Sequence, residues 1–461
     1  MHTRPLDKHL SILWISLLLL VLLSACGGTP ATPDMGEKSA NVPMPTPPIV
    51  PTPTSPPVPI CNQPVCLTPS SVPGGRQLID TWGNAHLFQA FDYAYSPADI
   101  VAQAKSYDFV WGVTPSNVQY FRSGNPNIFL SYYFPMNRDA GTFLSADVGR
   151  SHTLAYWKYY HPDWILYKCD RVTPVRQFLD PNLSLDVTNP AVLAWQVQNF
   201  MVPASQSGYD ALAADNLNLE NLFGACGVYR NGQWVQLYSG SVSDPQWRAD
   251  MLNWIVKTQA ALHAIKPHPL ALVINLGLPD NVNTDPSMPA YIQQIINHVD
   301  GVLYEAGYTH YGSGYLTDND WLQLVQLCKS VQQQHKPFYI NDEFDDNATL
   351  IKNDHLVWAL STYLMSKDHL SALFASSKQN YGADRRRDEY FVKIGYPKDD
   401  MRQDQNVYWR DYTGGEVIVN PSSTATYSIT LNSGQYVDLF GKPVSQSFLI
   451  QPHTGMVLLN H

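Results

Sequence analysis

The stretch GYDALAADN, residues 208–216, is a short apolar run that stops abruptly at Asp215 and Asn216. GVLYEAGY, residues 301–308, breaks its apolar run in the same way, at Glu305. Brief apolar runs bounded by turn signals read as buried strands. Working outward from these two, the unit repeats: AHLFQAF (85–91, ending at Asp92), DFVWGV (108–113), NIFLSYYF (127–134), PLALVINLG (269–277), KPFYINDEF (336–344) and HLSALFAS (369–376). Helical spacing fills the gaps. SPADIVAQAKSY has Ser96 as its cap and Pro97 at its first position, and the stretch 244–265 opens on Asp244 and Pro245 in the same fashion. Eight strands alternating with helices predict an α/β fold, a (β/α)8 TIM barrel over residues 71–402. Beyond residue 403 the helical period vanishes. NVYWRDYTGGEVIVNPSS and the runs after it read as a small C-terminal antiparallel β domain, 403–461.

The amino terminus speaks to location. His2, Arg4 and Lys8 precede an apolar run from Leu10 to Leu23, too short for an ordinary membrane span, and Leu23-Ser24-Ala25-Cys26 follows. This resembles the lipobox of bacterial lipoproteins. The resemblance implies a signal peptide over 1–25, acylation of Cys26, and a domain tied to the cell envelope outside the cytoplasmic membrane. A plain signal peptide with an incidental cysteine is the alternative. Residues 26–70 then form a tether whose run MPTPPIVPTPTSPPVPI has no charge and no face to bury; such Pro-rich chain is extended at roughly 3.1 Å per residue.

With 29 Lys and Arg against 39 Asp and Glu, the chain lacks the basic balance that nucleic-acid binding requires. The six cysteines include no CxxC pair, and no HExxH occurs, so neither a metal site nor a cofactor is expected. Cys169 and Cys226 fall in the loops after the third and fourth strands, adjacent on a barrel rim, where an exported protein can keep a disulfide. Cys61 and Cys66 could close a small loop at the end of the tether, and Cys328 lies on an apolar helical face as a buried thiol.

In a barrel of parallel strands, carboxylates at strand C-termini converge on one face. Two converging carboxylates are the working parts of a glycosidase. Asp215 is the candidate nucleophile or ion-pair partner and Glu305 the candidate acid/base, with Glu343 its rival. Asp92, Asn216, Asn275, Asn341 and Glu343 sit at or near strand ends, where polar groups bind sugar hydroxyls. Each has a plainer alternative: a helix cap or salt bridge for Asp215, a rim residue for Glu305, loop caps for the others. Trp111, Tyr132 and Tyr308 are candidate platforms for stacking on a sugar ring. The long connections 135–190 and 217–243 are too large for plain loops and shape the rim.

The order YDALAADN, VINLG, DGVLYEAG resembles barrel proteins described only as hypothetical glycosyl hydrolases. It is similar in outline to the endo-α-1,4-polygalactosaminidases and, more distantly, to the α-galactosidase-like clan. The resemblance covers roughly residues 80–461 and implies an Asp ending strand four, a carboxylic acid ending strand six, an oligo- or polysaccharide substrate and, through that clan, retention of anomeric configuration. It departs at Asp210-Ala211, where the family reads Asp-Gly. Two other readings stand beside it: a lipoprotein that binds polysaccharide without cutting it, and a two-lobed solute-binding lipoprotein feeding a transporter.

Overall fold

The computed structural model describes residues 87–90, 95–145, 152–177, 183–278, 285–346, 351–368, 370–377, 387–432 and 434–461, all within one unit, Pro69–His461. Asp92, Cys26, Cys61 and Cys66 lie outside the described residues.

Eight parallel strands close into a barrel. They are β1 (Leu87–Ala90), β2 (Tyr107–Trp111), β3 (Phe129–Pro135), β4 (Ala211–Asp215), β7 (Ala271–Asn275), β8 (Gly301–Tyr304), β9 (Phe338–Phe344) and β10 (Ser371–Ser377), and β1 closes the sheet against β10. Between β4 and β7 lies the rim hairpin of β5 (Gly227–Arg230) and β6 (Gln233–Gln236). The expected barrel is therefore present. A two-lobed architecture, each lobe with its own parallel sheet, is not what the described residues form.

The helices start where the sequence punctuates them. Ser96 and Asp99 form a capping box ahead of Pro97–Gln103, and Asp244 accepts from the N–H groups of Gln246 and Trp247 ahead of Pro245–Ala264. Strand alternation sends every second side chain inward. The interior is filled by Phe109, Trp111, Phe129, Tyr133, Ala211, Ala213, Ala271, Val273, Leu303, Tyr339, Ala372 and Phe374. Aromatic bulk from β2, β3 and β9 meets alanines from β4 and β7, and Phe109 stacks on Tyr339 at a centroid distance of 4.0 Å. Large opposite small lets one closed layer fill without a void. At the N-terminal end of the barrel, the Asp210 carboxylate accepts from the Leu130 N–H at 2.8 Å and from Arg122 at 2.6 Å. Asp210 is thus a structural latch between β3 and β4.

The C-terminal domain is a six-stranded sheet and a two-stranded ribbon. Its strands are β11 (Arg402–Asp404), β12 (Val407–Tyr412), β13 (Gly415–Asn420), β14 (Tyr427–Thr430), β15 (Tyr436–Val437), β16 (Pro443–Val444), β17 (Ser447–Ile450) and β18 (Thr454–Asn460), with β12, β13 and β18 the antiparallel centre of the sheet. Arg410 of β12 fastens it to the barrel. Its guanidinium donates to the carbonyls of Leu364, Met365 and Lys367 at 2.9, 3.2 and 2.5 Å, at the end of helix Asn353–Ser366. A cation there satisfies carbonyls that have no partner in the helix and complements its dipole. Gly455 of β18 lies so close to Ser361 of the same helix that a Cβ would collide with its hydroxyl.

Cys169 and Cys226 are joined by a disulfide that ties the segment after β3 to the segment after β4. Their separation of 57 residues sets the chain entropy that the bridge removes from the unfolded state, worth about 4 kcal/mol. Serine at both positions is expected to lower the stability in urea by up to that amount, with the far-ultraviolet circular dichroism of the barrel unchanged. Equal unfolding midpoints for the two proteins would show that the bridge adds no stability.

Candidate active site

Asp215 is the last residue of β4, Asn275 the last of β7, and Glu305 follows β8 directly. All three are half-buried at the C-terminal mouth. Asn275 joins the other two: its Nδ2 donates to Asp215 Oδ1 at 2.9 Å and to Glu305 Oε2 at 2.7 Å. Because both bonds leave one nitrogen, those two oxygens are separated by no more than the sum of the lengths, about 5.6 Å. The second Asp215 oxygen accepts from the Tyr133 hydroxyl at 2.7 Å and from Asn216 Nδ2 at 3.0 Å. Three donors thus fix the orientation of Asp215. Asn216 reaches back to its neighbour because its backbone is left-handed, φ 57°, a conformation asparagine tolerates better than most residues.

Tyr133 is buried, and burial followed by the Asp215 charge holds its hydroxyl well above the ordinary tyrosine range; Arg138 acts in the opposite sense. Tyr133 is therefore a neutral donor at any working pH. Tyr311 has a related environment. Burial comes first, then Glu305, Tyr304, Asp215 and Glu343, in raising its hydroxyl far above the ordinary value. The charges of Glu305, Asp215 and Glu343 all act on it. It is carried there by two consecutive left-handed residues, His310 at φ 46° and Tyr311 at φ 56°. Such backbone strain persists only where surrounding structure imposes it, commonly at functional sites.

Strand β9 carries its own alternation into the mouth. Tyr339 faces the barrel interior, so Asn341 and Glu343 share its face, while Asp342 points the other way. Asn341 is fully buried, and its amide donates to Glu343 Oε1 at 3.4 Å. It accordingly supports Glu343, while its Oδ1 has no hydrogen-bond partner. Trp111, Tyr132 and Tyr308 are also buried, Trp111 inside the barrel and the other two in the layer between sheet and helices, so none is a stacking platform.

Asp342 braces the segment that follows Glu305. Its Oδ1 accepts from the Tyr308 N–H at 2.6 Å and from the Thr309 hydroxyl at 3.3 Å, while Thr309 Oγ1 in turn accepts from the Glu343 N–H at 3.1 Å. Gly307, at φ 57°, has no room for a Cβ beside Asn341 and Asp342. Burial pushes the Asp342 carboxyl up to about 7 against the opposing pull of the Tyr308 and Thr309 donors, and its Oδ2 has no hydrogen-bond partner.

Sequence reasoning brought forward Asp215, Asn216, Asn275, Glu305 and Glu343, which share this mouth. It passed over Tyr133 and Tyr311. The first was accessible: alternation from Phe129 puts Tyr133, not Tyr132, on the inner face. Tyr311 carries no comparable signal, since it lies beyond the strand. Among the described residues no cluster of three His, Cys, Asp or Glu side chains is arranged to hold a metal ion.

No family model matches the sequence, and no curated protein does. Among solved structures, the chain is similar to a noncanonic maltogenic alpha-amylase from Thermotoga neapolitana, at 11% identity and a TM-score of 0.46 over 82% of this chain and 99% of that one. It is similar to trehalose-6-phosphate hydrolase from Bacillus licheniformis at 10% and 0.44, over 82% and 100%. An alpha-galactosidase from Geobacillus stearothermophilus gives 9% and 0.37, over 82% and 56%. These likenesses concern architecture alone; neither a reaction nor the role of any residue is taken from them.

The raised Asp342 carboxyl makes a signed prediction. Its folded value, about 7, exceeds the ordinary 3.8, so the fold keeps a proton that the unfolded chain gives up. The penalty is absent below about pH 3.8, grows between there and pH 7, and is complete above. Asp342→Asn keeps an acceptor at Oδ1 and cannot ionise. The stability of the variant relative to the parent, from urea unfolding, is expected to rise between pH 4 and pH 8 by as much as roughly 4 kcal/mol. A pH-independent difference would contradict it.

Proposed function

We propose that this chain is a glycoside hydrolase acting on an oligo- or polysaccharide with retention of configuration, Asp215 as nucleophile and Glu305 as acid/base. The observation that carries the reading is the single Asn275 nitrogen between the two carboxylates, which limits their facing oxygens to about 5.6 Å. Retaining glycosidases hold their carboxyls roughly 5–5.5 Å apart and inverting ones roughly 6.5–9.5 Å, the larger gap admitting a water.

In the first step Asp215 attacks the anomeric carbon as Glu305 gives its proton to the departing glycosidic oxygen. The carbon–oxygen bond breaks, leaving a sugar ester on Asp215 and a free hydroxyl on the leaving group. In the second, Glu305 takes a proton from water, whose oxygen displaces Asp215 from the anomeric carbon. Tyr133 and Asn216 hold one Asp215 oxygen and Asn275 the other, so the nucleophile meets the sugar in one orientation. The binder that does not cut is disfavoured by this geometry, since hydroxyl recognition needs no pair of carboxylates at this spacing.

The test is hydrolysis of a polysaccharide and aryl-glycoside panel by residues 70–461, beside Asp215→Asn and Glu305→Gln. Each variant is expected to lose at least about 10³ in kcat/KM on the substrate that the parent cleaves. Proton NMR of the first product is expected to show the anomer of the substrate. Activity surviving in Glu305→Gln and lost in Glu343→Gln would transfer the acid/base role to Glu343, and the opposite anomer would make the enzyme inverting.

We further propose that Cys26 is acylated and that the Pro-rich tether holds the barrel away from the bacterial membrane, which suits a large external substrate. The support is the order of basic, apolar and small residues before the cysteine. Cells fed a radiolabelled fatty acid are expected to label the parent and not Cys26→Ser; label on both would remove the anchor.

A further inference from the structure

Arg138 is a buried cation whose side-chain nitrogens make no hydrogen bond. It lies in the segment leaving β3, two residues beyond Met136, whose N–H donates to the Asp215 carbonyl at 3.0 Å. Its side chain is 1% exposed, and Nε, Nη1 and Nη2 are all shielded and without a hydrogen-bond partner. The buried acids near it in sequence are engaged elsewhere. Asp139 accepts from the N–H groups of Gly141 and His152 and from Trp157 Nε1, and Asp186 accepts from Arg230 and Thr188.

A second unpartnered group stands across from it. Arg138 and Ser184 face one another in an antiparallel bridge, flanked by hydrogen bonds from the Asp139 N–H to the Leu183 carbonyl and from the Leu185 N–H to the Asn137 carbonyl. That pattern is the non-hydrogen-bonded position of a ribbon, where facing side chains are closest and lie on the same side. The Ser184 hydroxyl is buried and also lacks a partner. The Arg138 charge acts on the Tyr133 hydroxyl, which binds Asp215, so the guanidinium lies within electrostatic reach of that carboxylate.

A guanidinium keeps its proton in a protein, and a buried charge without a counter-charge is strongly unfavourable. Its planar fork of N–H donors matches an oxyanion, and a hydroxyl beside it adds one more donor. We propose that Arg138 and Ser184 form a subsite for a negatively charged sugar substituent, a carboxylate or a sulfate, so that the glycan cut at Asp215 and Glu305 is acidic. This rests on the glycosidase reading and names its substrate class. Both donors are buried, so binding requires the side chains over them to move aside, and pairing in that water-poor setting is stronger than at a surface.

The decisive comparison uses the parent protein and polymers that differ only in charge. Polygalacturonate, alginate and hyaluronan are assayed beside their carboxyl-reduced forms, and carrageenan beside its desulfated form. At least one charged polymer is expected to be cleaved 100-fold or more faster, by kcat/KM, than its neutral counterpart, and which pair responds tells carboxylate from sulfate. Arg138→Met is expected to lose that preference through KM, and Arg138→Lys to restore part of it. Equal rates on charged and neutral forms by the parent overturn the subsite and leave the glycosidase standing, whether or not the variants fold. Binding of a charged polymer that disappears in Arg138→Met, with no polymer cleaved, keeps the subsite and overturns the glycosidase.

Discussion

Closure of the parallel sheet is the constraint on which everything else depends. A strand with a free edge leaves a row of backbone donors and acceptors unpaired. Here β1 meets β10, and no edge remains in the barrel. Closure requires the interior to be filled to a fixed volume, and the chain meets that with aromatics on β2, β3 and β9 facing alanines on β4 and β7. Because all strands run one way, closing the sheet also brings the C-terminal ends of β4, β7, β8 and β9 to one mouth. Asp215, Asn275, Glu305 and Glu343 are together for that reason.

The carboxylates at the mouth are held from several sides. Asn275 separates and orients Asp215 and Glu305, Tyr133 and Asn216 restrain the far oxygen of Asp215, and Asp342 braces the turn after Glu305 through Tyr308 and Thr309. Such precision costs stability. Asp342 is buried without a cation, and His310 and Tyr311 are strained. Backbone strain and a buried carboxyl persist only where the surrounding structure imposes them.

The rim has its own organisation. The segment after β3 builds a small aromatic core around Trp157, Trp164 and Tyr167, and Cys169–Cys226 fastens it to the segment after β4. Asp139 is the hub of the first turn, collecting Gly141, His152 and Trp157. Arg138 stands out in this region as a buried charge whose three side-chain nitrogens all lack a hydrogen-bond partner, with Asn137, Gln177 and Ser184 also incompletely paired.

Much of this was legible in the sequence. Apolar runs of strand length, helical spacing between them and the change of period after residue 403 were enough for the barrel and its β domain, since hydrophobic alternation and capping are local properties of the chain. Local reading also found Asp215 and Glu305, because an apolar strand that ends in a carboxylate is visible within nine residues. Phase was the weak point: one residue of slip along β3 exchanges Tyr133 for Tyr132 and moves the aromatic from the mouth to the outer layer. What the tertiary structure alone decided are the meetings between distant residues: Tyr133 with Asp215 across 82 positions, Asp215 with Asn275 across 60, and Arg138 set against Ser184, neither side chain with a hydrogen-bond partner. These depend on the closure and register of the whole sheet, to which every strand contributes, and no stretch of chain short enough to read by periodicity contains them.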